Sequence, residues 1–284
     1  MNTNMRGLSS QNSPPPTRFL FGENWRSFLA TVTDEAILQA EQGLLRLLPE
    51  SAIVGKSFLD IGCGSGLSML AALRLGAASV KGIDYDAESV DATRTLLNMH
   101  APSGRWSATL KSVFDLTPDD GRYDIVYSWG VLHHTGAVWR AIEDAARMVA
   151  PSGTFAIALY RKTPLCSVWA REKRFYAHAS TSTQSVIRCL YVSFYRAALL
   201  ARCRNPVAYE RNYRTTRGMD WKHDVHDWLG GYPYESVDSN AVRVELNRLG
   251  FDIERVFEHK PAAAGLFGTH CDEFVAVRRY FATA

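Results

Sequence analysis

The sequence predicts an α/β fold in which a mostly parallel β-sheet is covered by helices on both faces. Two observations carry that expectation. Between Ser57 and Tyr160, short apolar runs suited to buried strands alternate with longer segments of helical apolar spacing. The first two runs also end in chemistry: Asp60-Ile61-Gly62-Cys63-Gly64-Ser65-Gly66 leaves the first, and Asp84 closes the second. Ligands of parallel sheets gather at the carboxyl ends of the strands, which is where these residues fall.

Ser57–Ile61 is apolar and stops at glycines, as a buried strand does. Leu67–Leu75 has apolar residues at helical spacing, and Gly76 follows as a stop. Val80–Asp84 is the second strand, Ala87–Met99 the second helix and Trp106–Leu110 a third strand. Tyr123–Tyr127 is the fourth strand, Ala137–Val149 a further helix and Thr154–Tyr160 the fifth strand. Near the end, Ser239–Leu249 reads as an amphipathic helix stopped by Gly250, followed by strands at Phe251–Glu258 and Glu273–Tyr280.

Composition sets the outer limits. With 284 residues, 46% hydrophobic and 21% charged, the chain suits one large domain or two small ones and excludes wholesale disorder, collagen repeats and coiled coil. Residues 1–17 are polar, end in Pro14-Pro15-Pro16 and lack the apolar stretch of a signal peptide, so a disordered lead-in is expected. The five cysteines lack CxxC spacing, which argues against a disulfide framework or a zinc site and for a reducing cytoplasm. No metal site is expected. No apolar run approaches the roughly 18 residues of a spanning helix, which leaves at most peripheral membrane contact.

The glycine loop differs from a dinucleotide-binding loop, which would place a third glycine where Leu67 stands. Glycine instead recurs at every second residue after an acid, and Asp84 is placed to take both hydroxyls of a ribose. This constellation resembles the class I S-adenosylmethionine (SAM)-dependent methyltransferases, and the resemblance runs from about Ser57 to Tyr160. It covers Asp60, Gly62, Gly64 and Gly66 as the acid-plus-glycine motif, with Cys63 between, and Asp84 as the ribose acid, with Tyr85 beside the adenine. Ser112-Val113-Phe114-Asp115 falls at the family's adenine contact, although many members have an acid where Ser112 stands. Ser128-Trp129-Gly130-Val131-Leu132-His133-His134 matches the segment beside the methyl group, and Val149-Ala150-Pro151-Ser152-Gly153 the turn before strand five. The resemblance implies a Rossmann-like, seven-stranded, mostly parallel sheet of order 3-2-1-4-5-7-6, and SAM as cofactor. A nicotinamide-dependent dehydrogenase is the alternative enzyme, and a SAM-binding partner without catalysis the alternative to an enzyme.

The flanks extend this organisation. Residues 18–56 form a helical cap, 57–160 the SAM-binding core, 161–235 a helical lid, and 236–284 the helix and strands that complete the sheet. Phe21, Asn24 and Trp25 lie in an aromatic-Gly-x-Asn-Trp segment similar to that of a methyltransferase subgroup of glycan and natural-product pathways; it either closes over the cofactor or packs on the sheet. From Arg161 to Lys222 there are 13 Lys or Arg against three acids, a local charge of +10 inside a total of +3. That polarity fits an acidic small-molecule acceptor or an anionic membrane surface carrying a lipid-linked one, whereas no nucleic-acid module is present. A core-docked helix with a solvated basic side would also explain it.

SAM chemistry needs an aligned nucleophile and, for a hydroxyl acceptor, a base. His134 is the first candidate by position, with His133, His223 and His226 behind it. Tyr160, Trp221, Asp224, Tyr232 and His270 are the candidate acceptor contacts. The expected activity is methyl transfer to a hydroxyl, carboxylate or amine of a small molecule, releasing S-adenosylhomocysteine.

Overall fold

A computed structural model of the chain describes residues 32–217, 221–259 and 268–280, together with residues 19, 21, 22, 25, 29, 265 and 266. Within its helices the side chains of residues 214–217, 222 and 223 lie outside that description. The expected lead-in at 1–17 and Asn24 are also outside it.

Seven strands form one sheet of order β3-β2-β1-β4-β5-β7-β6. They are β1 (Ser57–Ile61), β2 (Ser79–Asp84), β3 (Trp106–Leu110), β4 (Tyr123–Trp129), β5 (Val149–Tyr160), β6 (Phe251–Phe257) and β7 (Cys271–Arg278). The pairs from β3 through β5 are parallel, and β7 runs antiparallel to both β5 and β6. The sheet order is the one that the family resemblance implies.

Strand periodicity explains why both faces are covered. Phe58, Ile125 and Ala156 point to one face, where they meet Ile37 and Leu44 of α1 (Asp34–Leu47), Leu70 of α3 (Leu67–Arg74) and Leu96 of α4 (Ala87–His100). The short helix α2 (Glu50–Ile53) closes this layer with Ile53. The alternate residues Leu59, Val126 and Phe155 point to the other face, against Ala141 and Ile142 of α5 (Val138–Arg147) and Val242 and Leu246 of α10 (Ser239–Arg248). Full burial of a side chain such as Phe58 contributes about 1.5–3 kcal/mol.

Several boundaries differ from expectation. Strand β2 starts one residue earlier, β6 ends one earlier, and β7 spans Cys271–Arg278 rather than Glu273–Tyr280. The helix expected at Ala137–Val149 is Val138–Arg147, and the largest changes are at β4 and β5. Ser128 and Trp129 belong to β4, pairing with Ile157 and Ala158, so the strand carries Trp129 to the rim. Strand β5 already pairs at Val149 with Tyr123, and the register then jumps to Ile125–Thr154. Residues 150–153 bulge between those pairs, with Ser152 in the left-handed region at φ 58°.

Four helices stand between β5 and α10: α6 (Cys166–His178), α7 (Thr181–Ala201), α8 (Pro206–Arg217) and α9 (Trp221–Gly230). They share a third apolar cluster built from Tyr176, Tyr213, Trp221, Val225 and Leu229, with Trp169, Tyr191 and Tyr195 against it. The chain returning from this lid is fastened to the core. Glu235 accepts from the Val138 N–H at the start of α5 (3.0 Å), and its own N–H donates to the His133 carbonyl (2.9 Å). A carboxylate at a helix N-terminus is favourable because it meets unpaired N–H groups.

Candidate active site

The turn after β1 has a shape that only glycine takes without strain. Gly62, Gly64 and Gly66 have φ of 80°, 54° and 81°. A side chain at Gly62 would press into Val131, and one at Gly64 would meet the Trp25 indole at 3.1 Å. At Gly66 it would meet the Thr93 backbone at 3.0 Å, so this glycine lets α4 lie against the start of α3. Gly66 caps α3 and leaves its first-turn N–H groups facing the rim.

Asp84 ends β2 beside this turn. Its carboxylate accepts from the Gly64 N–H (3.1 Å) and the Asp86 N–H (3.0 Å), yet burial raises its pKa to about 6. Asp60 lies deeper. Burial, and then the charge of Asp84, push its carboxyl up to about 8. The Cys63 thiol is likewise pushed up, first by burial and then by Asp60. Burial and mutual repulsion thus favour a shared proton on this carboxyl pair.

A strap from the N-terminal segment crosses this end. The Gly22 N–H donates to the Asp86 carboxylate (2.7 Å), the Tyr85 hydroxyl to the Phe19 carbonyl (2.7 Å), and the Phe19 N–H to the Tyr232 carbonyl (2.9 Å). Phe21 and Trp25 thereby line a cavity of about 510 Å³ that also takes in Gly62, Gly64, Asp84, Tyr85, Ser112, Val113 and Trp129.

The same cavity continues under the lid. His134, Tyr160 and His270 line it from the core, and Tyr191, Tyr195, Tyr209, Tyr213, Trp221, Asp224, Asp227 and Trp228 from α7, α8 and α9. Trp221 sits among the tyrosines, 4.8 Å from the Tyr195 ring and 5.1 Å from that of Tyr213, whose hydroxyl donates to Asp224. His134 Nδ1 donates to the Pro233 carbonyl (2.9 Å), which leaves Nε2 as the basic nitrogen. Burial lowers its pKa to about 4, so the ring is neutral at neutral pH. His133 has the opposite tautomer. Its Nδ1 accepts from the Tyr160 N–H (3.2 Å), and its ring stacks 3.8 Å from that of Tyr160.

Behind this wall lies a buried cation. The Lys173 ammonium is 3.6 Å from the centre of the Trp228 ring and 5.3 Å from that of Tyr234, with no hydrogen-bond partner among the described residues. Burial holds its pKa well below the usual lysine value, while the neighbouring Glu172 opposes that shift. Its charge lowers the pKa values of both His133 and His134.

The structure therefore brings most of the sequence-predicted residues to one cavity, but not all. Asp60 and Cys63 border a second cavity on the other side of the glycine turn, which Trp25, Gly62, Gly64 and Trp129 also border. Gly66, Phe114, Ser128, His133 and Tyr232 line neither cavity. Phe114 lies under the Arg140 guanidinium, and the Ser128 hydroxyl donates to the Ile61 carbonyl (2.9 Å), joining β4 to β1. His226 is engaged by the Tyr176 hydroxyl (2.7 Å), and the His223 side chain is outside the described residues. Among the described residues no group of three or more His, Cys, Asp or Glu is arranged to hold a metal ion. Sequence reasoning passed over Lys111, Lys173 and the four lid tyrosines as site residues. The tyrosines had a signal, since Tyr191/Tyr195 and Tyr209/Tyr213 each repeat at four residues and so share a helix face.

Comparisons with known proteins bear on this geometry. Residues 58–153 match a family model described as a methyltransferase domain. The 27-O-demethylrifamycin SV methyltransferase of Amycolatopsis mediterranei (strain S699) is 28% identical over 150 residues, 51% of this chain and 54% of that protein. The ribosomal protein L11 methyltransferase of Photobacterium profundum is 32% identical over 116 residues, 40% of this chain and 38% of that protein. The chain thus spans about half or less of the length of these curated relatives. Among solved structures, magnesium protoporphyrin IX methyltransferase from Synechocystis PCC 6803 with bound S-adenosylhomocysteine superposes with a TM-score of 0.55 at 14% identity, covering 90% of this chain and 93% of that one. PKMT2 from Rickettsia typhi, in complex with the same product, gives 0.54 at 14% identity, covering 87% and 53%. The chain has the Rossmann-like fold of the class I methyltransferases, with its match to a methyltransferase domain at residues 58–153.

Proposed function

We propose that this protein is a SAM-dependent methyltransferase acting on a small-molecule acceptor enclosed by the helical lid. The observation that carries the reading is the continuity of one cavity, from the glycine turn and Asp84 at one end to His134 and the lid aromatics at the other. The residues present fit SAM, since the left-handed glycines keep the turn free of side chains and the Asp84 carboxylate lines the same cavity beside them.

Asp84 would accept from the ribose hydroxyls, with Tyr85, Ser112 and Val113 around the adenine and Trp25 and Phe21 covering the site. When bound, SAM supplies an electrophilic methyl group on a sulfonium, whose departure as a neutral thioether is favourable. Neutral His134 would take the proton of a hydroxyl acceptor through Nε2, whereas a carboxylate or amine would need only orientation. Tyr160, Trp221, Asp224 and His270 would hold the acceptor, and the ring faces of the lid exclude water. A lid-covered cavity favours a small molecule, and the Amycolatopsis relative, named for a small-molecule substrate, supports that class. The aromatic-Gly-x-Asn-Trp segment supports a glycan or natural-product pathway.

The test is an acceptor panel incubated with SAM, read by S-adenosylhomocysteine release and by an acceptor mass gain of one CH₂. Release together with the mass gain supports the reading. SAM binding with no transfer to any acceptor would point instead to a non-catalytic partner.

A further inference from the structure

The lid has an outer face that the cavity does not use. On α6 and α7 the inner positions Trp169, Tyr176, Ile187, Tyr191 and Tyr195 belong to the lid's apolar cluster. The opposite positions of a surface helix normally carry charged residues. Here, among exposed serines and arginines, several are large and apolar: Val168 and Phe175 on α6, and Val186, Leu190 and Leu200 on α7, are each between 55% and 66% exposed. Val186 and Leu190 are one turn apart, and Val168 and Phe175 two turns apart, so each pair forms a stripe along its helix.

Charge singles out the partner. Residues 161–210 contain nine Lys or Arg and two acids, Glu172 and Glu210; of the cations, Lys173 is buried, Arg161 pairs with Asp272 and Arg196 with Glu210. Both carboxylate oxygens of Glu172 are buried, so this acid does not offset the outer charge. Arg171 and Arg174 are exposed beside Phe175, and Arg202 and Arg204 are exposed where α7 ends. An apolar stripe rimmed by cations is the composition that settles at the headgroup level of an anionic bilayer, with apolar residues below the phosphates and cations among them. Among the described residues no helix is long and apolar enough to cross a membrane, which fits surface contact. A second copy of the chain would set this basic face against itself, with like charges opposed. Nucleic acid would leave the apolar stripe unused.

We propose that the outer face of α6 and α7 is a docking surface for an anionic lipid membrane. This contact does not depend on the methyltransferase reading. The experiment floats the full chain with vesicles of phosphatidylglycerol and phosphatidylcholine, or of phosphatidylcholine alone, at low and high salt. The chain is expected to float with the anionic vesicles at low salt, to be released by high salt, and to ignore the neutral ones. The double variant Phe175→Glu with Leu190→Glu is expected to bind about tenfold more weakly, as is Arg171→Glu with Arg174→Glu. All four positions are exposed, and circular dichroism and melting verify that both variants fold. No flotation at low salt overturns the proposal, as does unchanged binding by both folded variants. A concentration-dependent dimer broken by Leu190→Glu would also overturn it, assigning the face to a second copy.

Discussion

At the sheet end of the cavity the turn at Gly62 and Gly64 presents backbone beside the Asp84 carboxylate, with the Phe21, Trp25, Tyr85 and Trp129 side chains around it, whereas at the lid end the wall is rings, with Tyr195, Tyr209 and Tyr213 packed around Trp221. Such a turn tolerates almost no substitution, since a left-handed φ and the absence of a side chain are required together. A ring wall can be rebuilt from many aromatic combinations and so is free to follow the acceptor. The first end is suited to an invariant cofactor, and the second to a ligand particular to this protein.

Breaking the backbone end should have the largest effect. Gly62→Ala combines a left-handed φ with pressure on Val131, and is expected to cost about 2–4 kcal/mol in a denaturant melt. SAM binding should fall with it. Parental stability would show that the turn is not held by these contacts.

His134→Ala should leave SAM affinity intact and lower turnover by about 10²–10⁴-fold, the range of a general base. Equal loss of SAM affinity would move His134 to the cofactor end of the comparison.

Asp84 gives a test in which two signs must differ. Its pKa is raised by burial to about 6, so the carboxylate destabilises the ligand-free fold, and stability should rise as pH falls through about 6. Ribose hydroxyls need the carboxylate as acceptor, so SAM affinity should weaken over the same window. Asp84→Asn should bind SAM about 10–100-fold more weakly and lose the pH dependence. Stability and affinity moving in the same direction would contradict the assignment.

The smallest effect belongs to Lys173. Its positive charge lowers the pKa of His134, so Lys173→Met should raise that pKa and move the acid limb of the pH–rate profile to higher pH, by less than about one unit. An unmoved limb would leave Lys173 with packing against Trp228 alone.

The contrast between the two ends also accounts for how much the sequence revealed. Gly62, Gly64, Gly66 and Asp84 were legible because glycine at every second residue, with an acid closing the next strand, suits few turns besides one that cradles a nucleoside. The strand order followed from the resemblance, and the alternation of Phe58 with Leu59 agrees with a sheet buried on both faces. Trp129 was less legible, since nothing local distinguishes the last residue of a strand from the first of a loop. The bulge at 150–153 depends on pairing with β4, which is not local either. Phe114 and Ser128 lie in the segments expected to meet the cofactor but turn to Arg140 and Ile61, a choice made by side-chain direction rather than by spacing. In the lid, apolar and aromatic residues occur on nearly all faces of α7, so periodicity alone did not separate Tyr191 and Tyr195 from the exposed Leu190.

The central claim is that the sheet end of the cavity binds SAM, and equilibrium binding to the purified chain tests it most directly. The account predicts saturable SAM binding that S-adenosylhomocysteine displaces, with NAD neither binding nor competing. Binding of NAD without binding of SAM would contradict it.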